Sequence, residues 1–130
     1  MTLKNKIILI AEDEQFLQKI MAQKLTALGA KVLTASNGQE AVEIIRKETP
    51  DLVLLDLMMP IQNGFDVLKI TKADEKLKNI PIIILSNLEQ DTDRAHCKEL
   101  GAVDYLIKSN VPLKDITTLV ISYLEKNETK

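Results

Sequence analysis

Five short apolar runs, separated by longer stretches of helical periodicity, constrain the fold of this chain more than any other feature. The runs are IILIA (7–11), KVLTA (31–35), LVLLD (52–56), PIIILS (81–86) and VDYLIK (103–108). Between the first two, Leu17, Ile20, Met21, Leu25 and Leu28 recur at three- and four-residue spacing, and Gly29 follows as a stop. Ala41, Ile44 and Ile45 repeat after SNGQE, which reads as an N-cap region. Phe65, Leu68 and Lys72 mark a third helix, and Leu113, Ile116, Val120 and Tyr123 a fifth, after Pro112. Strands that alternate with helices in this way predict a parallel sheet of βαβ units. Strands covered on both faces read as continuous apolar runs, so runs one, three and four belong in the centre. Runs two and five carry Lys31, Thr34, Asp104 and Tyr105 and belong at the edges. The doubly wound, flavodoxin-like order 2-1-3-4-5 meets that condition.

The fourth helical stretch, EQDTDRAHCKELG (89–101), offers only Ala95, Cys97 and Leu100 to a core. Helical stability comes mostly from packing, so this stretch reads either as a plain solvated surface helix or as the candidate moving element.

At 130 residues the chain suits one domain, residues 1–126, with a polar tail at 127–130. The stretch EKNETK that ends the chain is expected to fray. A net charge of -2 with scattered lysines gives no basic surface for direct nucleic-acid binding. A single cysteine, Cys97, excludes an internal disulfide and fits a reduced, cytoplasmic setting. The apolar run at 7–11 is too short for a signal peptide or a membrane span.

Ligands of open α/β sheets bind outside the carboxyl ends of the strands, near the point where strand order reverses. Four sites of chemistry fall there: Glu12–Asp13–Glu14, Asp56, Ser86 and Lys108. Asp13 reads either as a helix N-cap or, beside Asp56, as part of a carboxylate pair that needs a cation. All-oxygen donors suit Mg²⁺. Lys108 reads as an edge lysine or as a cation aimed into the acidic cleft, and Ser86 as a turn residue or a hydroxyl donor. His96 lies in the polar helix, so a Ser-His-Asp triad is excluded, and no Walker or dinucleotide glycine motif occurs. What remains fits phosphoryl chemistry with Asp56 as nucleophile.

At these residues the chain resembles the receiver domain of two-component response regulators. The resemblance rests on ILIAEDE (8–14), DLVLLDLMMPIQNG (51–64), PIIILSN (81–87) and DYLIK (104–108), and spans essentially the whole chain. It implies a phosphoacceptor switch. Asp56 takes the phosphoryl group from a sensor histidine kinase or His-phosphotransfer protein. Asp13, Asp56 and the Met58 backbone carbonyl hold Mg²⁺ (or Mn²⁺), with Glu12 in the outer part of the site. Ser86 and Lys108 bind phosphoryl oxygens, and Tyr105 is the aromatic that swings inward as Ser86 moves. Pro60 and Gly64 match the loop after the phosphoacceptor strand. The resemblance further implies an output face of helix 4, strand 5 and helix 5 toward a downstream protein. It implies self-catalysed phosphorylation and dephosphorylation rather than turnover of an external substrate.

There are departures. The family usually carries proline, with a cis bond, after its lysine; here Ser109 follows Lys108, and a cis bond without proline costs about 3 kcal/mol. Asn87 stands where the family prefers a small residue. Met58 and Leu88 occupy positions that tune dephosphorylation, and neither orients water, which predicts a slowly hydrolysed phosphoryl group. A phosphatase of the haloacid-dehalogenase type needs an acid where Met58 stands. A receiver-like interaction module working without phosphorylation is the remaining alternative, although none of its usual missing residues is missing here. With no output domain within these 130 residues, the signal is expected to pass by protein contact or onward phosphotransfer, or the chain is a piece of a longer regulator.

Overall fold

The computed structural model describes residues 3–88 and 90–128. Strand and helix alternate throughout: β1 (Ile7–Ala11), α1 (Gln15–Ala27), β2 (Lys31–Ala35), α2 (Gly38–Glu48), β3 (Leu52–Leu55), α3 (Gly64–Ala73), β4 (Ile82–Ser86), α4 (Asp91–Glu99), β5 (Asp104–Ile107) and α5 (Leu113–Glu128). All strand pairs are parallel and the sheet order is β2-β1-β3-β4-β5, as the hydrophobic pattern requires. The central strands β1, β3 and β4 are buried almost throughout, while β2 is mostly half-buried or exposed and β5 alternates. Three of the apolar runs overshoot their strands: Asp56, Pro81, Val103 and Lys108 lie just outside. The ladder still continues one bond further, from Asp56 N–H to the Ala11 carbonyl and from Lys108 N–H to that of Ser86, both 3.0 Å.

Side chains of successive strand residues point to opposite faces, which divides the core in two. Ile8, Ile10, Leu52, Leu54, Ile83 and Leu85 pack under α1 and α5, against Met21, Leu25, Ile116, Val120 and Leu124. Leu9, Ala11, Val53, Leu55, Ile82 and Ile84 pack under α2, α3 and α4, against Ala41, Val42, Ile45, Val67 and Leu68. Local signals fix the helix ends. Asn37 caps α2 by accepting from Glu40 N–H at 2.8 Å, and the Glu40 carboxylate reaches back to accept from Ser36 N–H, one residue before the cap, at 2.7 Å. Gly29, at φ 104°, takes the left-handed conformation that ends α1.

Helix α4 is the exception. Cys97 is its one buried residue; Ala95, expected on the buried face, is exposed, and Leu100 is half-buried. A large apolar side chain contributes about 1.5–3 kcal/mol when buried, and α4 buries none. Helix α5 continues to Glu128, into the tail expected to fray. Among the described residues no helix is long and apolar enough to cross a membrane.

Candidate functional site

Strand register builds the site. Ala11 lies opposite Leu55, Leu55 opposite Ile84, and Ser86 opposite Ile107, so the next residues of each strand meet at one edge. The twofold alternation then sorts them. Glu12, Asp56 and Lys108 continue the α1/α5 side, whereas Ser86 and Tyr105 fall on the α4 side.

On the first side, Glu12 and Asp56 are 1% and 4% exposed. The Lys108 ammonium reaches both, 2.5 Å from Glu12 Oε1 and 3.0 Å from Asp56 Oδ2. The contact to Glu12 Oε1 is an ion pair without hydrogen-bond alignment. The other oxygens are also engaged: Glu14 N–H donates to Glu12 Oε2 at 3.0 Å, and Met58 N–H to Asp56 Oδ1 at 3.2 Å. Burial pushes the Glu12 carboxyl up to about 7, with the Asp56 charge adding to it, against the pull of Lys108 and the Glu14 N–H. Burial pulls the Lys108 ammonium down, but its close contacts to Glu12 and Asp56 and their charges outweigh that and hold it above its usual range. Of the two readings of Lys108, the structure gives the cation in the cleft.

Asp13 is exposed, at the mouth. Glu14, not Asp13, is the N-cap residue of α1, and it makes no side-chain cap bond. One oxygen each of Glu12, Asp13 and Asp56 lie within 4.8 Å of one another. Three carboxylates against one ammonium leave uncompensated negative charge, and every donor is a hard oxygen with solvent on the Asp13 side. The residues fit a divalent cation of the Mg²⁺ or Mn²⁺ class.

On the α4 side Ser86 is fully buried and Tyr105 is 7% exposed. Both are tied to one backbone unit. Tyr105 Oη donates to the Leu88 carbonyl at 2.7 Å, and Leu88 N–H donates to Ser86 Oγ at 3.2 Å. The Arg94 guanidinium sits 5.1 Å from the centre of the Tyr105 ring, on α4. Burial, followed by the neighbouring Cys97 and Asp93, raises the Tyr105 phenol. The aromatic is thus already inward. No cis peptide bond occurs among the described residues, so the Lys108–Ser109 bond is trans. His96 lies outside the site and stacks on Phe65, ring centres 5.0 Å apart.

Two glycines shape the loop between β3 and α3. A Cβ on Gly64 would stand 2.3 Å from the Asp56 carbonyl oxygen, and one on Gly38 would stand 1.9 Å from that of Gln62. Only glycine permits either approach. In the same loop Ile61 adopts φ 70°, a strained value for a β-branched residue. Met58 and Ile61 expose their side chains at the mouth.

Sequence reasoning missed Gly38 and also Gln18. The Gln18 amide donates to the carbonyls of Glu12 at 2.8 Å and Ala35 at 3.1 Å, and more distantly to Ser36 Oγ at 3.4 Å. SNGQE signalled a cap but not a glycine pressed on a neighbouring loop. Gln18 lies among Leu17, Ile20 and Met21, where a polar residue reads as helix surface.

Comparison with known proteins agrees with this geometry. The sequence pattern of the response regulator receiver domain matches residues 8–120. The chain is 40% identical over 119 residues to a probable transcriptional regulator, ycf27, of Porphyra purpurea, covering 92% of this chain and 47% of that protein. It spans about half the length of the curated relatives it matches. Among solved structures, the receiver domain of Francisella response regulator 1452 superposes with a TM-score of 0.86 at 27% identity, covering 95% of this chain and 99% of that one. The BeF3-activated receiver domain of Klebsiella pneumoniae RstA gives 0.82 at 29%, covering 91% and 97%. Paired acids, a buried aspartate and a lysine at the ends of three parallel strands therefore come with a matching sequence pattern over most of the chain, which belongs to the response regulator receiver domain family.

Proposed function

We propose that the chain is a Mg²⁺-dependent phosphoacceptor switch with Asp56 as its nucleophile. The observation that carries this reading is Asp56 itself: a buried carboxylate, held by Lys108 on one oxygen and Met58 N–H on the other, beside two further carboxylates. A carboxylate oxygen of Asp56 attacks the phosphorus of a phosphohistidine on a sensor histidine kinase or phosphotransfer protein. The P–N bond breaks, its electron pair returns to the imidazole, and an acyl phosphate remains on Asp56. Asp13, Asp56 and the Met58 carbonyl would hold the cation, with Glu12 behind them. The cation supplies charge neutralisation for the phosphoryl oxygens. Lys108 then transfers its contact from the carboxylate to a phosphoryl oxygen, and the Ser86 hydroxyl turns from Leu88 N–H toward another.

The switch is not a turnover enzyme on an external substrate, and it acts in the cytoplasm. Its output is the face formed by α4, β5 and α5, read by a downstream protein. A similar solved domain, that of RstA, is named as BeF3-activated, which supports reading this chain as an activatable switch. Without acidic or amide side chains at Met58 and Leu88 to orient water, the acyl phosphate is long-lived.

Acetyl phosphate with Mg²⁺, followed by intact-protein mass spectrometry, tests the proposal. Wild type is expected to gain one phosphoryl group, Asp56→Asn none. A wild type that gains none from acetyl phosphate or from any kinase leaves only an unphosphorylated interaction module. A half-life of seconds for the phosphorylated form would refute slow hydrolysis.

A further inference from the structure

We infer that Gln18 is a positioning residue that presets the metal-binding loop, a step that rests on the proposed Mg²⁺ site. The β1–α1 loop carries Glu12 and Asp13, and its geometry decides whether their carboxylates face Asp56. Within the loop, Glu14 N–H holds the Glu12 carboxylate, but the N-cap residue of α1, Glu14, makes no side-chain cap bond. The constraint comes from one turn into the helix. Gln18 N–H donates to the Glu14 carbonyl at 3.0 Å, which places its side chain back over the loop. The two hydrogens of its Nε2 then serve the carbonyls of Glu12 at 2.8 Å and Ala35 at 3.1 Å.

These two carbonyls belong to adjacent strands, at the end of the β1–β2 ladder. Glu12 N–H already donates to the Ala35 carbonyl at 2.9 Å, so Gln18 closes a ring around the last bond of the sheet. The ring pins the Glu12 backbone on one side while Lys108 and Glu14 N–H pin its carboxylate on the other. Asp13, the next residue, inherits that position. Asparagine is one methylene too short to make both bonds from the same helix position, and leucine has the size but no donor. Groups that orient metal ligands from behind typically change metal affinity by 10–100-fold when removed.

The test is Mn²⁺ binding to unphosphorylated protein by electron paramagnetic resonance, which needs no fluorophore in a chain without tryptophan. Gln18→Leu and Gln18→Asn are compared with wild type, with far-UV circular dichroism to establish folding. Both variants are expected to bind Mn²⁺ about tenfold more weakly, and their phosphorylation by acetyl phosphate is expected to recover at saturating Mg²⁺. If either folded variant binds Mn²⁺ as wild type does, the inference is wrong. If neither folds, Gln18 is a folding residue and the inference is equally wrong. A wild type that binds no Mn²⁺ is a different result: it removes the metal site itself, and with it the reading on which this step stands.

Discussion

The two halves of the site are held by different forces. On the α1/α5 side, Glu12, Asp56 and Lys108 form a buried ion cluster in which each carboxylate also accepts a backbone N–H. On the α4 side, Ser86 and Tyr105 make neutral hydrogen bonds to the backbone of a single loop residue, Leu88. Leu88 leads into a helix whose one buried side chain is Cys97. Charge-assisted bonds are roughly twice as strong as neutral ones. The charged half therefore behaves as a fixed receptor, and the neutral half is where a small change in bonding can move structure. On the proposed function, a phosphoryl group that recruited the Ser86 hydroxyl would free Leu88 N–H, and Tyr105, bonded to the same residue, would respond with it.

The largest expected effect lies in the charged half. Lys108→Met leaves two buried carboxylates without their cation, which costs about 3 kcal/mol. The figure should be read from urea unfolding in EDTA at pH 8. The pH dependence has a definite sign. The Glu12 carboxyl titrates near 7 in the folded protein against 4.5 for the free group. The folded state thus binds this proton more tightly, and the resulting stability is full below about 4.5 and lost as pH rises through about 7. Lys108 lowers the Glu12 value, so removing it widens the gap. The deficit of the variant is expected to be smaller at pH 5 than at pH 8, and a deficit equal at both would mean that Glu12 is not ionised as described.

Tyr105→Phe probes the other half with a smaller effect. It deletes the bond to the Leu88 carbonyl and leaves that carbonyl without its donor, at about 1 kcal/mol. Amide exchange should accelerate along α4, while Mn²⁺ affinity stays at the wild-type value. A change in Mn²⁺ affinity would show that the two halves are coupled before any phosphoryl group arrives.

The distinction between the halves was only partly legible in the sequence. Asp13, Asp56, Ser86 and Lys108 were placed at one edge because apolar runs mark strands and strand ends mark the edge. The polarity of α4 marked it as weakly packed. The environment of Glu12 was hidden, because a carboxylate just past a strand reads the same whether it points to solvent or into a cleft. Its direction follows from twofold alternation across the ends of β1, β3 and β5 and from the reach of Lys108, both tertiary facts. Gln18 and Gly38 were hidden for a related reason. Each acts on a neighbouring segment, through an amide reaching two carbonyls in one case and a missing Cβ in the other.

The smallest effect on stability, and the sharpest probe of the neutral half, is chemical. Cys97 is fully buried. Burial, and then the charge of Asp93, push its thiol up to about 11. Only the thiolate reacts with iodoacetamide. At pH 8 the folded protein should therefore alkylate much more slowly than an unfolded chain with an ordinary thiol. Whatever reaction occurs passes through states in which α4 has lifted away. Its rate then measures the opening of that helix alone, because the other helices keep their large buried side chains. Tyr105→Phe should raise the rate several-fold while moving the urea midpoint by no more than its cost of about 1 kcal/mol, whereas Lys108→Met should shift the midpoint further. If Cys97 in the folded wild type alkylates like a free thiol, α4 is not seated on the sheet, and the neutral half has no closed state from which to switch.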